Sequence, residues 1–117
     1  MPSTVFGVSY DAHDALIAAT FWATALDREL ADGADRDNAA VEPADIATSG
    51  PRLAFHRVPE DKAVKNRVHL DLLSSDFDAE LERLLALGAT RVNEVRAGGH
   101  WITLADPDGN EFDLIEG

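Results

Sequence analysis

The sequence predicts an α+β fold built from two similar βαβββ modules, and three observations predict it. The 117 residues are 45% hydrophobic, which is typical of one folded domain. Strand and helix patterns follow the same order twice along the chain. When the sequence is aligned with itself at an offset of 62 residues, Asp14 aligns with Asp76, and these are the predicted starts of the two helices. Within this single domain, module one is expected over about residues 1–60 and module two over about residues 66–117.

The first module begins with an alternating segment, residues 5–10, which predicts a half-buried strand. Asp14 can cap a helix that is expected to run to about Leu30. Residues 31–50 are rich in Ala, Asp, Gly and Pro, and they predict a loop with at most one weak edge strand. Residues 53–58 then predict a clearer strand.

The second module repeats this order and adds further strands. A capping box around Asp76 predicts the start of its helix, and Gly88 predicts the end. A turn is predicted over Asp106-Pro107-Asp108-Gly109-Asn110, because each of these residue types favours turns. The predicted strands of this module cover residues 67–73, 90–95, 101–105 and 111–115.

Strand alternation assigns one face of each sheet to the helix and one to a ligand cleft. The bulky apolar residues expected against the helices are Phe6, Val8, Val68, Leu70 and Leu72. The opposite face is expected to carry Gly7, Ser9, Ala54, His56, His69, Asp71, Trp101, Thr103 and Asp113. Polar side chains that converge on one face of a curved sheet indicate a small-molecule site. His13 and His100 fall next to element ends, where solvent exposure is expected.

The charge and the missing cysteines narrow the functional classes. The formal net charge is −12, so the chain should repel nucleic acid and anionic membrane surfaces. The absence of Cys excludes disulfides, thiolate nucleophiles, zinc fingers and iron–sulfur clusters. The start has no basic residue before an apolar core, and the longest apolar stretch is too short for a membrane span. We therefore expect a soluble, cytoplasmic protein.

An ordered set of segments resembles the glyoxalase-like proteins of the vicinal oxygen chelate (VOC) superfamily. The matching segments are Phe21-Trp22 with Ala25-Leu26, residues 55–60, residues 65–72, residues 87–90 and residues 106–112. The resemblance implies two βαβββ modules that form a half-barrel cleft of the glyoxalase/bleomycin resistance/dihydroxybiphenyl dioxygenase type. It also implies a small-molecule ligand and a homodimer.

The resemblance also implies where a metal would bind. Metal-dependent members place two ligands in each module, at positions that correspond here to Gly7, His56, His69 and Asp113. Glycine has no side chain to ligate, so the implied metal ligands are His56, His69 and Asp113. Two histidines and a carboxylate suit Fe(II), Mn(II), Ni(II) or Zn(II).

The implied site has further members around these ligands. Asp71 lies on the correct face to move a proton, and we assign it the catalytic role. Ser9, Trp101 and Thr103 are expected to line the substrate cleft. Ser9 or Asp71 would be the nearest substitute for the ligand missing at Gly7.

Two functions are therefore compatible with the sequence. The first is a metal-assisted lyase, isomerase or dioxygenase acting on a vicinal-oxygen substrate, and the implied ligand set favours it. The alternative is a metal-free module that sequesters a ligand, as bleomycin-resistance members of the superfamily do. Gly7 favours this second function. The sequence does not identify the substrate.

Overall fold

The computed structural model describes residues 1–43, 45 and 50–117 of the chain. It falls into two units, Met1–Asp61 and Lys62–Gly117, each with one helix and one sheet. The predicted α+β class is therefore confirmed. Part of the loop predicted over residues 31–50, namely residues 44 and 46–49, lies outside the described residues. Neither helix that the structure describes is long and apolar enough to cross a membrane.

The first unit is a three-stranded sheet with one helix. Its elements are β1 (Gly7–Ala12), α1 (Ala15–Leu26), β2 (Asn38–Val41) and β3 (Arg52–Arg57). The strand order is β1-β3-β2, with β1 parallel and β2 antiparallel to β3. In the described part of this unit, the further strand implied by the βαβββ pattern is reduced to one bridge between Leu30 and Val41.

Helix α1 begins where the sequence predicts and ends earlier. Asp14 is the N-cap, and its Oδ1 accepts a hydrogen bond from the backbone N–H of Ile17 at 3.0 Å. Asp27 then adopts a left-handed conformation with φ 52°, which ends the helix before the predicted Leu30. Leu30 therefore lies outside the helix, and it forms the β-bridge with Val41.

The core of the first unit is aromatic. Trp22 is 1% exposed, and Tyr10 stacks on Phe55 with ring centroids 5.1 Å apart. The prediction that Phe6 covers the helix is wrong, because Phe6 is 80% exposed. The reason is that β1 begins only at Gly7, so Tyr10 is the large residue of that strand facing the helix.

The second unit is a four-stranded sheet with one helix. Its elements are β4 (Leu70–Ser74), α2 (Phe77–Leu87), β5 (Thr90–Val95), β6 (Trp101–Ala105) and β7 (Glu111–Glu116). The strand order is β4-β7-β6-β5, and β4 pairs with β7 in parallel. The βαβββ order predicted for this module is present in full.

Helix α2 has the predicted ends. The Asp76 carboxylate accepts a hydrogen bond from the Ala79 backbone N–H at 3.4 Å, and Gly88 ends the helix at φ 120°. Its buried residues are Phe77, Leu81 and Leu84. The prediction that Val68 lies against the helix is wrong, since Val68 precedes β4 and is exposed.

The turn between β6 and β7 is held by one buried carboxylate. Oδ1 of Asp106 accepts hydrogen bonds from the backbone N–H groups of Asp108 at 2.9 Å and Asn110 at 3.0 Å. Gly109 supplies the positive φ of 91° that the turn requires. The turn predicted for this segment is confirmed, and it fixes where β7 begins.

His100 is not solvent-exposed as predicted, because its side chain is 12% exposed. Its Nε2 lies 2.9 Å from Glu94 Oε2, and its Nδ1 lies 3.4 Å from Glu116 Oε1. The ring also contacts Phe77, with centroids 4.7 Å apart. The β5–β6 hairpin brings Glu94 and His100 together, and the sequence alone does not reveal this pairing.

Glu94 is expected to make stability depend on pH. The hydrogen bond with His100, aided by Arg96 and Arg91, holds the pKa of Glu94 below its ordinary value despite partial desolvation. A lowered pKa in the folded state stabilises the protein above the ordinary glutamate pKa, and this contribution disappears as the pH falls through the folded-state value. Glu94→Gln should therefore destabilise the protein at pH 7, and this effect should shrink as the pH falls below the ordinary glutamate pKa of about 4.3 and through the lower folded-state value.

Thermal unfolding of wild type and Glu94→Gln across that pH range measures this effect. Glu82→Gln, an exposed change on α2, is the control and should leave the pH profile unchanged. An equal destabilisation by Glu94→Gln at every pH would contradict the prediction.

Candidate functional site

His69 and Asp113 form a polar pair in the second unit. Nδ1 of His69 lies 3.4 Å from Oδ2 of Asp113, and the side chains are 23% and 15% exposed. This Nδ1 is buried, and none of the residues that the structure describes makes a hydrogen bond with it. A buried polar atom without a partner is costly, so it marks a position where a ligand would stabilise the site.

The sheet positions Asp113 by simple alternation. Its neighbours Phe112 and Leu114 are fully buried, so Asp113 faces the other side of β7. Thr103, its partner on β6, donates its hydroxyl to Oδ1 of Asp113 at 2.5 Å. Thr103 was predicted to line the cleft; the structure shows that it also anchors this carboxylate and leaves Oδ2 directed at His69.

The loop before β4 positions His69. Nε2 of His69 lies 3.2 Å from the backbone oxygen of Asn66. Oδ1 of Asn66 in turn accepts a hydrogen bond from the Glu111 N–H at 3.0 Å, which ties this loop to the start of β7. The sequence analysis gave Asn66 no role, and its position within a segment that resembles the VOC proteins was the only signal.

Two further predicted residues lie in the same sheet. Asp71 is exposed and is the direct β4 partner of Asp113 on β7. Trp101 is half-buried and begins β6, two residues before Thr103. Glu111, which the prediction missed, has a buried Oε1 without a hydrogen bond. Alternation along β7 with Asp113 was the signal that would have found it.

His56 and Ser9 belong to the first unit. Nδ1 of His56 lies 2.9 Å from Oδ1 of Asn38, and the residue is exposed. Ser9 is exposed on β1 and pairs with Ala54 on β3. Of the three predicted metal ligands, the structure thus brings His69 and Asp113 together in one unit, while His56 contacts Asn38 in the other.

The strand registers show which residues of the first unit correspond to His69 and Asp113, and they differ from the correspondence that the resemblance implied. If Ser9 corresponds to Asp71, as the shared offset of the helix caps implies, then Ala54 corresponds to Asp113, because these are their strand partners. The resemblance had instead implied His56 as the first unit's counterpart of Asp113. The first unit therefore has Gly7 and Ala54 where the second has His69 and Asp113.

Gly7 also has no room for a side chain. A Cβ atom built on Gly7 would lie 2.8 Å from the backbone oxygen of Arg52, closer than real Cβ contacts allow. A ligating residue at this position would require the strand to move.

His69 and Asp113 fit two ligands of one divalent ion. With metal–ligand bonds near 2.1 Å, two donors of one ion lie about 3.0–3.4 Å apart, and the observed 3.4 Å falls at the end of this range. In the part of the chain that the structure describes, no group of three or more His, Asp and Glu side chains could hold a metal. Within these residues, His69 and Asp113 provide two donors.

Comparison with known proteins decides the family. A family model described as a glyoxalase-like domain matches residues 7–115. The chain belongs to the glyoxalase-like family. Its fold is accordingly the glyoxalase/bleomycin resistance type of the VOC superfamily, as the resemblance implied. No curated protein sequence matches this glyoxalase-like chain.

Solved structures show the same fold at low identity. A mutant of the fosfomycin resistance protein FosX from Listeria monocytogenes, complexed with Mn(II) and dihydroxypropylphosphonic acid, is 18% identical. The match covers 98% of this glyoxalase-like chain and 90% of FosX, with a TM-score of 0.75.

Two other structures have different described roles. The bleomycin-binding protein from Streptomyces verticillus, complexed with copper(II)-bleomycin, is 23% identical, with 100% and 99% coverage and a TM-score of 0.65. Lactoylglutathione lyase from Agrobacterium tumefaciens is 17% identical, with 100% and 96% coverage and a TM-score of 0.68. One fold thus serves resistance, drug-binding and lyase proteins, so function must be argued from the site.

Proposed function

We propose that this glyoxalase-like protein binds a small oxygen-bearing molecule at His69 and Asp113, with a divalent cation held by these two side chains. The observation that carries the proposal is the buried Nδ1 of His69, which lies 3.4 Å from the Asp113 carboxylate and makes no hydrogen bond within the described part of the chain. An imidazole nitrogen and a carboxylate oxygen suit Mn(II), Fe(II), Ni(II) or Zn(II). The FosX structure, which shares the fold, contains Mn(II).

The residues around the pair have defined roles in this proposal. A bound cation would act as a Lewis acid on a substrate oxygen, as lyase and isomerase chemistry requires. Thr103 holds the Asp113 carboxylate in one orientation through its 2.5 Å hydrogen bond. Asp71 is exposed on the adjacent strand and would accept the proton that leaves the carbon next to that oxygen.

A second candidate function is metal-free binding of a small molecule. Gly7 favours it, because this position has neither a ligating group nor space for one. The net charge of −12 would suit a cationic ligand. The bleomycin-binding protein shows that the fold serves drug binding elsewhere.

Metal titration separates the two functions. The purified protein is stripped with EDTA, dialysed and titrated with Mn(II) or Ni(II) by calorimetry, with the His69 ring signals followed by NMR. The metal-assisted function predicts one saturable site per chain and a shift of the His69 signals. Absence of saturable uptake would overturn it and leave metal-free binding as the supported function.

We also propose that the protein is a homodimer. Among the strands that the structure describes, the first strand of each unit, β1 or β4, is an edge of its own sheet. Large apolar side chains near these edges are exposed, namely Val5, Phe6, Val68 and Leu73. A second copy that covers these edges would bury that apolar surface.

Light scattering coupled to gel filtration measures the assembly. The expected mass at micromolar concentration is twice the 12.6 kDa of one chain. Leu73→Asp should shift the population towards monomer, whereas Thr20→Asp, at an exposed position on α1, should not. A monomer at all concentrations in the wild type would contradict the proposal.

A further inference from the structure

The side chain of Asn66 is hydrogen-bonded at both of its polar atoms. Its Oδ1 accepts a hydrogen bond from the backbone N–H of Glu111 at 3.0 Å, and its Nδ2 donates to Oδ1 of Asn110 at 3.4 Å. Asn110 is itself held within the turn between β6 and β7, because its backbone N–H donates to the Asp106 carboxylate at 3.0 Å. The Asn66 carboxamide therefore joins the loop before β4 to this turn and to the first residue of β7.

The backbone oxygen of Asn66 decides which ring nitrogen of His69 carries the proton. This oxygen lies 3.2 Å from Nε2 of His69. A carbonyl oxygen can only accept a hydrogen bond, so Nε2 is the N–H donor of the pair, and Nδ1 of the neutral ring then carries a lone pair. The opposite tautomer would lose this hydrogen bond and place two acceptors 3.2 Å apart.

Nδ1 of His69 faces a second acceptor, the Asp113 carboxylate. It lies 3.4 Å from Oδ2 of Asp113, and it is buried without a hydrogen bond in the described part of the chain. The Thr103 hydroxyl donates to the other oxygen of this carboxylate, Oδ1. Two acceptors that face each other away from water repel, and a cation that bonds to both removes the repulsion. The tautomer that the Asn66 carbonyl selects is therefore the one in which Nδ1 can ligate.

We infer that Asn66 is a positioning residue, whose carboxamide holds His69 in the tautomer with a proton on Nε2 and a lone pair on Nδ1. The two side-chain hydrogen bonds fix the loop, and the fixed loop places the Asn66 carbonyl against Nε2. The assignment of Nδ1 as the nitrogen that ligates a cation rests on the proposed metal function. The tautomer does not rest on it, because the tautomer is a property of the metal-free protein.

NMR spectra of the histidine rings that correlate each nitrogen with the ring protons show which nitrogen is protonated. They are recorded in EDTA at about pH 9, more than two units above the ordinary histidine pKa of about 6.5. Wild type should show His69 with its proton on Nε2. A proton on Nδ1 in the wild type would overturn the proposal, and this result requires no variant to fold.

Asn66→Ala tests the role of the carboxamide. The variant removes both side-chain hydrogen bonds and leaves the carbonyl on a loosened loop. The His69 ring can then turn and donate from Nδ1 to the Asp113 carboxylate, which is the stronger acceptor because it is charged. The proton should therefore move from Nε2 to Nδ1 in a measurable share of the molecules. Asn66→Asp keeps an acceptor for the Glu111 N–H and should restore the wild-type tautomer.

Val68→Ala is the matched control for Asn66→Ala. Val68 lies in the same loop and is 77% exposed, so its truncation changes neither the charge nor the two hydrogen bonds of Asn66. The His69 tautomer should be unchanged in this variant. Thermal unfolding is measured alongside, because a purely structural Asn66 would lower the melting temperature without moving the proton. A folded Asn66→Ala in which His69 keeps its proton on Nε2 would overturn the positioning role.

Titration with Zn(II), which is diamagnetic, identifies the ligating nitrogen. In the wild type the ¹⁵N signal of Nδ1 should shift on saturation, while Nε2 keeps its proton. Asn66→Ala should bind Zn(II) about 10–100-fold more weakly, the usual loss for a group that orients a metal ligand. Zn(II) bound through Nε2 would overturn the proposal. If wild type takes up no Zn(II), the proposed metal function fails, and the spectra in EDTA still decide the role of Asn66.

Discussion

Replacing His69 with Ala is expected to abolish divalent-metal binding. The substitution removes the buried Nδ1 that lies 3.4 Å from Asp113 and leaves one ligand of the proposed pair. Loss of a group that only orients a ligand already costs about 10–100-fold in affinity, so loss of the ligand itself should cost at least as much. Calorimetric titration with Mn(II) measures the change.

His100→Ala is the matched control for this experiment. His100 also has a buried Nδ1 without a hydrogen bond, but its neighbours are Glu94 and Glu116 rather than Asp113. Metal affinity should be unchanged in His100→Ala, and Thr103→Val should weaken it by releasing Asp113. Equal affinity in wild type and His69→Ala would show that the metal binds elsewhere.

Replacing Trp22 with Ala should destabilise the first unit by about 3–5 kcal/mol. Trp22 is 1% exposed, packs edge-on against Phe21 with centroids 5.5 Å apart, and lies 6.1 Å from the ring of Tyr10. The truncation removes a large apolar side chain and leaves a cavity between α1 and the sheet. Denaturant unfolding monitored by circular dichroism measures the loss.

Ile17→Ala on the same helix is the control for Trp22. Ile17 is 57% exposed, so its truncation should cost less than about 1 kcal/mol. Since the two units could unfold separately, the fit must allow two transitions, and only the transition of the first unit should move. Similar losses for both variants would contradict a core role for Trp22.

The two helix starts and the end of α2 were predictable from the sequence because capping is local, whereas α1 ends at Leu26 rather than at the predicted Leu30. Asp14 and Asp76 each bond a backbone N–H three residues ahead, and Gly88 needs only its own backbone freedom. The starts of β5, β6 and β7 lie at the predicted residues. The starts of β1 and β4 were not predictable, because pairing with a distant strand decides them. Phe6 and Val68 continue the alternating pattern but precede the paired residues, so they remain exposed.

In the candidate site, too, features set by local sequence were predictable and features set by loops or distant strands were not. Alternation along β7 correctly placed Asp113 on the face opposite Phe112 and Leu114. The contact between His69 and Asn66 was not predictable, because a loop without periodicity forms it. Pairing register, which spacing alone does not define, aligned Asp113 with Ala54 rather than His56.

In each unit the first strand pairs in parallel with the last strand of that unit, β1 with β3 and β4 with β7, and this pairing constrains the order of folding. Gly7 pairs with Arg52 and Leu70 pairs with Phe112, so each ladder closes a loop of roughly 40–45 residues before it gains a hydrogen bond. During synthesis, β1 must wait until β3 has left the ribosome, and β4 must wait until β7 has left it. Helices α1 and α2 can form before these ladders, because the hydrogen bonds within each helix are local.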